Sequence, residues 1–167
     1  MIIIGFPGIG KSTLAYNNDK FVDLESSYFK PVNNRNDDWV VDYCKLAELL
    51  SKNGSIVFIS SHKTVRDYIA KMRTDELVAC VFPSKRIREQ WVKKLEDRYM
   101  DSNLDKDYRA FIRAREHYDD YIRELYSDDS IPYKWIITNI NYDLEEELEK
   151  LFDCINYRIE LAVDDSR

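Results

Sequence analysis

A parallel α/β sheet of five strands, with helices on both faces, is the fold this sequence predicts, and three observations predict it. Met1-Ile2-Ile3-Ile4 makes a short apolar, β-branched strand at the start of the chain. It runs directly into Gly5-Phe6-Pro7-Gly8-Ile9-Gly10-Lys11-Ser12, a G-x-x-x-x-G-K-[ST] string between a strand and a helix signal. Four further apolar segments then alternate with helical ones, the order that builds a parallel sheet covered on both sides. A ligand of such a sheet sits over the carboxyl ends of its strands.

The elements follow in order. A short helix begins near Ser12, runs to Tyr16 and stops at Asn17-Asn18-Asp19. Lys20 to Glu25 is a second strand that finishes on acids. Residues 26–38 are loop-like, with Pro31, Asn33, Asn34, Asn36 and two exposed-looking rings, Tyr28 and Phe29. Asp37 or Asp38 caps a helix from Trp39 to Lys52, which Asn53-Gly54 ends. Ser55 to Ser60 is a third strand, continuously apolar as a buried parallel strand should be. A helix over Thr64 to Arg73 precedes the fourth strand, Leu77 to Phe82, and Pro83 closes it. Ser84 caps a long helix to Tyr99, residues 100–104 break it, and a second long helix spans Asp105 to Tyr126. Pro132 to Thr138 contains the fifth strand. A last helix covers Asp143 to Phe152, and Tyr157 to Ala162 reads as a short edge strand before a polar end.

The size, 167 residues, suits one domain with its own core. A net charge of −6 argues against a broad nucleic-acid or acidic-membrane surface. Cys44, Cys80 and Cys154 are scattered and odd in number, as reduced thiols in packed positions are. No apolar run is long enough to cross a membrane, and the start carries no basic region or cleavage site, so the expectation is a cytoplasmic protein.

The glycine string points to phosphate chemistry. Glycines let the backbone curl and turn its N–H groups toward an anion, and the helix start adds its own. Gly5, Pro7, Gly8, Ile9, Gly10, Lys11, Ser12 and Thr13 are therefore the expected ATP-binding residues. Lys11 would reach the β- and γ-phosphates and Ser12 would hold Mg²⁺. A guanine-reading Asn-Lys-x-Asp is absent, and the third strand ends on Ser60 where motors and hydrolases place a metal-holding acid. The acids lie instead at Asp23-Leu24-Glu25. Two residues apart on a strand end, both carboxylates can face one cleft, or both can be solvated.

On these motifs the chain resembles the small P-loop kinases, the group of adenylate and other nucleoside monophosphate kinases and of shikimate and gluconate kinases. Its length, its five-strand pattern and the helical pair after the fourth strand fit that group. GFPGIGKSTLA with DLESSYF is also similar to nucleotide-kinase-like proteins of bacteriophages. The resemblance implies transfer of the γ-phosphoryl of ATP, with Mg²⁺, to a nucleoside or deoxynucleoside monophosphate, with no long nucleic acid as partner. It implies a helical lid over residues 84–126 within the single domain 1–167. Asp23-x-Glu25 is similar to the Asp-x-Asp of the shikimate kinase branch, which leaves a hydroxyl metabolite as the alternative acceptor. A nucleotide-binding module without any acceptor is the other alternative. Arg66 resembles the arginine that grips an acceptor phosphate, although Asp-Gly-Phe-Pro-Arg is not present. Asp23, Glu25, Phe29 and Arg66 would line the acceptor side. Arg98 and Arg109, with ten residues between them, are similar to a lid arginine pair.

Helical projection adds its own expectations. Ile87, Trp91, Val92, Leu95 and Tyr99 form one apolar stripe, with Arg88 inside it and Arg98 at its side. Tyr108, Phe111, Ile112, Ile122, Leu125 and Tyr126 share a face with Arg115 in its middle. A charge there needs a partner, either Asp119 one turn on or a phosphate. Lys11, Asp23, Arg98 and Arg115 are thus the expected catalytic set, and His62 sits on the loop after the third strand.

Overall fold

The computed structural model describes residues 1–30 and 38–164. Its strands are β1 (Ile2–Gly5), β2 (Phe21–Asp23), β3 (Ile56–Ser60), β4 (Val78–Pro83) and β5 (Tyr133–Ile137). Its helices are α1 (Lys11–Asn17), α2 (Asp38–Lys52), α3 (Lys63–Lys71), α4 (Arg88–Ser102), α5 (Asp105–Tyr126) and α6 (Leu144–Asp164). All strands are parallel, in the order β2-β3-β1-β4-β5. The three inner strands are the ones written almost entirely in Ile, Val and Phe, because only they are buried on both faces. The carboxyl ends of β1 and β3 lie side by side, with Gly5 paired to Ser60. The chain therefore leaves the sheet from adjacent strands at this end, and the glycine loop rises beside the ends of β2 and β3.

One core runs beneath both helical layers. Tyr43, Cys44 and Ala47 enter it from α2, and Leu144, Leu148, Leu151 and Ile155 from α6. Burial pushes the Cys44 and Cys80 thiols up to about 12, so both stay neutral. Cys154 is exposed, unlike the packed position expected of it.

The tail departs from the expected edge strand. Tyr157, Arg158 and Ile159 continue α6. The stripe at 144, 148, 151 and 155 docks the helix, and no glycine or proline follows to stop it before Asp164. Each added residue then gains a hydrogen bond for little further ordering. The expected polar end after it, and the loop residues Pro31, Asn33, Asn34, Asn36 and Asp37, lie outside the described residues.

The helical pair also differs from the expectation. Ser84 does cap the start, accepting from Arg86 N–H at 3.0 Å, but it caps a 3-10 turn over Lys85–Ile87 before α4 proper. Trp91 and Leu95 are fully buried. On α5 the buried residues are Asp107, Phe111, Ala114, Tyr118, Tyr121, Ile122 and Leu125, a spacing of four and three. Tyr108 and Tyr126, expected on that face, are exposed. The projection went wrong because it followed hydrophobicity and skipped Asp107, Ala114, Tyr118 and Tyr121. Trp91, Leu95 and the buried face of α5 pack residues 84–126 onto the core of the main body. Asn103 (φ 51°) and Leu104 divide the pair, within the expected break, and α5 has a further break of its own at His117 (φ −130°, ψ 17°).

Candidate functional site

The glycine loop is held from behind. Gly8 and Gly10 have φ of 85° and 96°, conformations that a side chain would strain. A Cβ at Gly8 would also stand 2.8 Å from the Leu95 side chain, so α4 presses against the loop. Trp91 donates its indole N–H to Pro7 O at 3.0 Å, and Tyr142 donates its hydroxyl to Ile9 O at 2.9 Å. The two rings are stacked, 6.0 Å apart and within 8° of parallel, with the Lys94 ammonium 4.8 Å from each. Phe6 is buried among Trp91, Tyr118 and Tyr121. With two loop carbonyls turned toward these rings, the loop's N–H side is left to the sheet end.

The first helical bond of α1 runs from Leu14 N–H to Gly10 O, 3.0 Å. The N–H groups of Lys11, Ser12 and Thr13 are therefore the orphans that any helix start leaves. Since α1 has seven residues, these N–H groups matter more than a summed helix dipole. Lys11 folds back over the loop, its ammonium 3.4 Å from both Gly5 O and Phe6 O. Gly5 is needed for that approach, since a Cβ there would sit 2.5 Å from the Lys11 stem.

Ser12 Oγ donates to Asp23 Oδ2 at 2.5 Å, joining the loop to the end of β2. Tyr43 fixes that end. Its hydroxyl donates to Leu24 O at 2.7 Å and accepts from Ser60 N–H at 2.8 Å, tying β2 to β3. Glu25 accepts from Ser27 N–H at 3.5 Å and pairs with Lys106 at 3.6 Å. Burial lowers the Lys11 pKa. The Asp23 and Glu25 carboxylates oppose that, and Arg98 and Lys106 reinforce it. Four charged groups thus act on the Lys11 ammonium: Asp23, Glu25, Arg98 and Lys106. Arg98 is half-exposed and is held by the buried carboxylate of Asp107, which also accepts from Ser102 Oγ at 2.6 Å.

Three of the expected site residues have other partners here. Arg66 is only 1% exposed, and its donors are taken by Asp128 Oδ2 (2.8 Å), Ser61 O (2.5 Å) and Glu124. Burial works against its charge, but the two carboxylates outweigh it and raise its pKa. All three guanidinium nitrogens of Arg66 are thus engaged within the protein. Arg115 lies beside the buried stripe, 54% exposed, paired with Glu116 at 3.4 Å and lying 5.3 Å from the Phe111 ring. Asp119 is not its partner, since Arg88 lies 3.9 Å from that carboxylate. Phe29 packs edge-on against Tyr43, ring centroids 5.1 Å apart, which makes it a support for β2 more than an open contact.

The fold gathers His62 with residues that the sequence did not single out. His62 Nδ1 is 3.3 Å from Arg113 NH1, and Arg113 lies 4.2 Å over the Tyr121 ring. Burial, then the cations Lys30, Arg113 and Arg66, lower the His62 pKa to about 4, with Glu25 opposing. Burial, Arg109 and Arg113 likewise lower the pKa of Lys30, whose ammonium lies 4.9 Å over Trp39. One signal could have found part of this set: Lys106, Arg109 and Arg113 are spaced three and four apart on one helix.

No described protein family and no curated protein matches this chain in sequence. Among solved structures, an uncharacterized protein from Eubacterium ventriosum ATCC 27560 is similar with a TM-score of 0.50 at 13% identity, over 93% of this chain and 97% of that one. That likeness concerns the α/β fold alone. No helix among the described residues is long and apolar enough to cross a membrane.

Proposed function

We propose that the chain is a P-loop phosphotransferase, moving the γ-phosphoryl of ATP to a nucleoside or deoxynucleoside monophosphate. The observation that carries this reading is the contact of Ser12 Oγ with Asp23 Oδ2 beside Lys11, at the open end of the sheet. Two exposed hard oxygens at this spacing suit Mg²⁺, which takes few protein ligands and completes its shell with phosphate and water. Ser12 and Asp23 would hold the ion, and it would neutralise charge on the phosphates. The N–H groups around Gly8 to Thr13 would receive the donor phosphates. The two long contacts of Lys11 with loop carbonyls are ones that an anion readily replaces. Arg98, held by Asp107, would then face charge on the transferring group.

An acceptor oxygen attacks the γ-phosphorus, the bond to the β–γ bridging oxygen breaks, and ADP leaves. A phosphate acceptor arrives deprotonated and needs no base, whereas a hydroxyl acceptor does. Asp23 is engaged with Ser12, and Glu25 with Lys106 and Ser27, so neither is free for that task. This favours the monophosphate over a hydroxyl metabolite. Rate would come from positioning and fixed charge.

ADP release is the test, measured with Mg²⁺ and ATP against a panel of monophosphates, sugars and hydroxy acids. A monophosphate should stimulate it most. Stimulation by a hydroxyl compound alone would move the assignment to a metabolite kinase. ATP binding with no stimulation by any acceptor would leave a nucleotide-binding module.

A further inference from the structure

We propose that the first half of α5, with Lys30 and His62, forms a subsite for a phosphate monoester. Resting on the phosphotransferase reading, this subsite holds the acceptor's phosphate.

Lys106, Arg109 and Arg113 lie on one side of α5 by their spacing. Two contacts fix that side over the sheet end. Lys106 reaches Glu25 after β2 at 3.6 Å, and Arg113 reaches His62 after β3 at 3.3 Å. Lys30 lies on the chain after β2, its ammonium 4.9 Å over the Trp39 ring, where the charges of Arg109 and Arg113 act on it. Among the described residues, neither Lys30 nor Arg113 has a carboxylate partner, and the one on Arg109 is the exposed Asp105 at 2.7 Å. An exposed pair of that kind contributes little. Cations crowded together repel one another: burial first, then Arg109 and Arg113, lower the Lys30 pKa. In a chain of net charge −6 such a gathering is not average surface. It is relieved when an anion enters.

His62 is the neutral member. Because Nδ1 receives Arg113, the ring's proton belongs on Nε2, which becomes a further donor. Guanidinium, ammonium and imidazole N–H together match the oxygens of a monoester dianion. Glu25 stands at the edge of the cluster, among the groups that act on both Lys30 and His62, and would repel a longer polyanion. The subsite therefore fits a small phosphorylated compound better than a nucleic-acid strand.

Isothermal titration on the full chain tests this. The probes are the 5′-ribo- and 2′-deoxyribonucleoside monophosphates, the matching nucleosides, and ribose 5-phosphate. At least one monophosphate should bind wild type, and its nucleoside should bind about tenfold more weakly or worse. Lys30→Gln and Arg113→Gln should each weaken the monophosphate about tenfold and change ATP·Mg²⁺ affinity less than about twofold. Lys11→Ala should do the reverse. Since Arg113 packs on Tyr121, Lys30→Gln serves alone if Arg113→Gln does not fold. The proposal is overturned if no monophosphate binds, if the nucleoside binds as well, or if the folded variants bind the monophosphate normally. Failure of the kinase reading looks different: monophosphates bind as described, but ATP yields no ADP in their presence.

Discussion

The glycine loop and the first half of α5 face each other across the sheet end, and they are built on opposite plans. The loop is fixed from behind by buried rings, with Trp91 on Pro7 O, Tyr142 on Ile9 O and Leu95 against Gly8. Its donors are backbone N–H groups that cannot rotate away. The α5 face carries long, half-exposed cations whose own contacts are few and exposed. The break at His117 separates it from a second half locked by Tyr118 to Ser84 O, by Tyr121 to Ser61, and by Glu124 to Arg66. The difference teaches where specificity can be rebuilt. A packed loop cannot be changed without disturbing the core, whereas an exposed helix face can be substituted without touching it.

The largest expected effect is on the loop. Lys11→Ala removes its one mobile charge while the packing behind it stays. Turnover should fall about 10²–10³-fold with the thermal midpoint nearly unchanged. A folded variant with normal turnover would break the contrast at once, since the loop would then not be the reactive side.

Arg66→Met comes next, and it reads out as stability. It strands Asp128 and Glu124 without their cation, a loss of about 3 kcal/mol, at the low end because Glu124 can regain water. Denaturant unfolding measures it, and the acceptor KM should not move. A stable variant with a raised acceptor KM would return Arg66 to the site.

Trp91→Phe keeps the ring and deletes the N–H, leaving Pro7 O without its donor. Stability should drop by about 1–2 kcal/mol. ATP affinity should fall and monophosphate affinity should hold, as paired titrations would report. Equal losses for both ligands would mean that the loop and the α5 face are not independent.

A smaller effect appears with pH. His62 has a folded pKa of about 4, below its ordinary 6.5, so the unfolded chain binds more protons between those values. The His62 contribution should therefore be complete above pH 6.5, decline as pH falls toward 4, and change no further below. His62→Gln should flatten that part of the curve. An anion beside His62 should raise its pKa, which NMR titration of the imidazole would follow.

Arg115→Met should do least, within about 0.5 kcal/mol in stability and with unchanged turnover, because the side chain is exposed and weakly paired. A loss of turnover here would show that α4 and α5 rearrange during the reaction.

By itself the sequence determined the alternation of strands and helices, the parallel sheet, the glycine loop and the acids at the end of β2. These rest on local signals: continuous apolar runs, glycines that only a curled backbone needs, and caps such as Ser84. Only the tertiary structure decided the strand order and the fates of the arginines. Arg66 and Arg113 look alike in the chain, each a cation on an otherwise ordinary helix. One meets Asp128 and Glu124, sixty residues away, and is buried. The other meets the His62 imidazole and stays exposed. Helical periodicity places a side chain to within a face, but an error of one position separates the buried Ala114 from the exposed Arg115. Whether a charge is neutralised depends on which distant segment folds over it, and residue spacing along one helix carries no record of that.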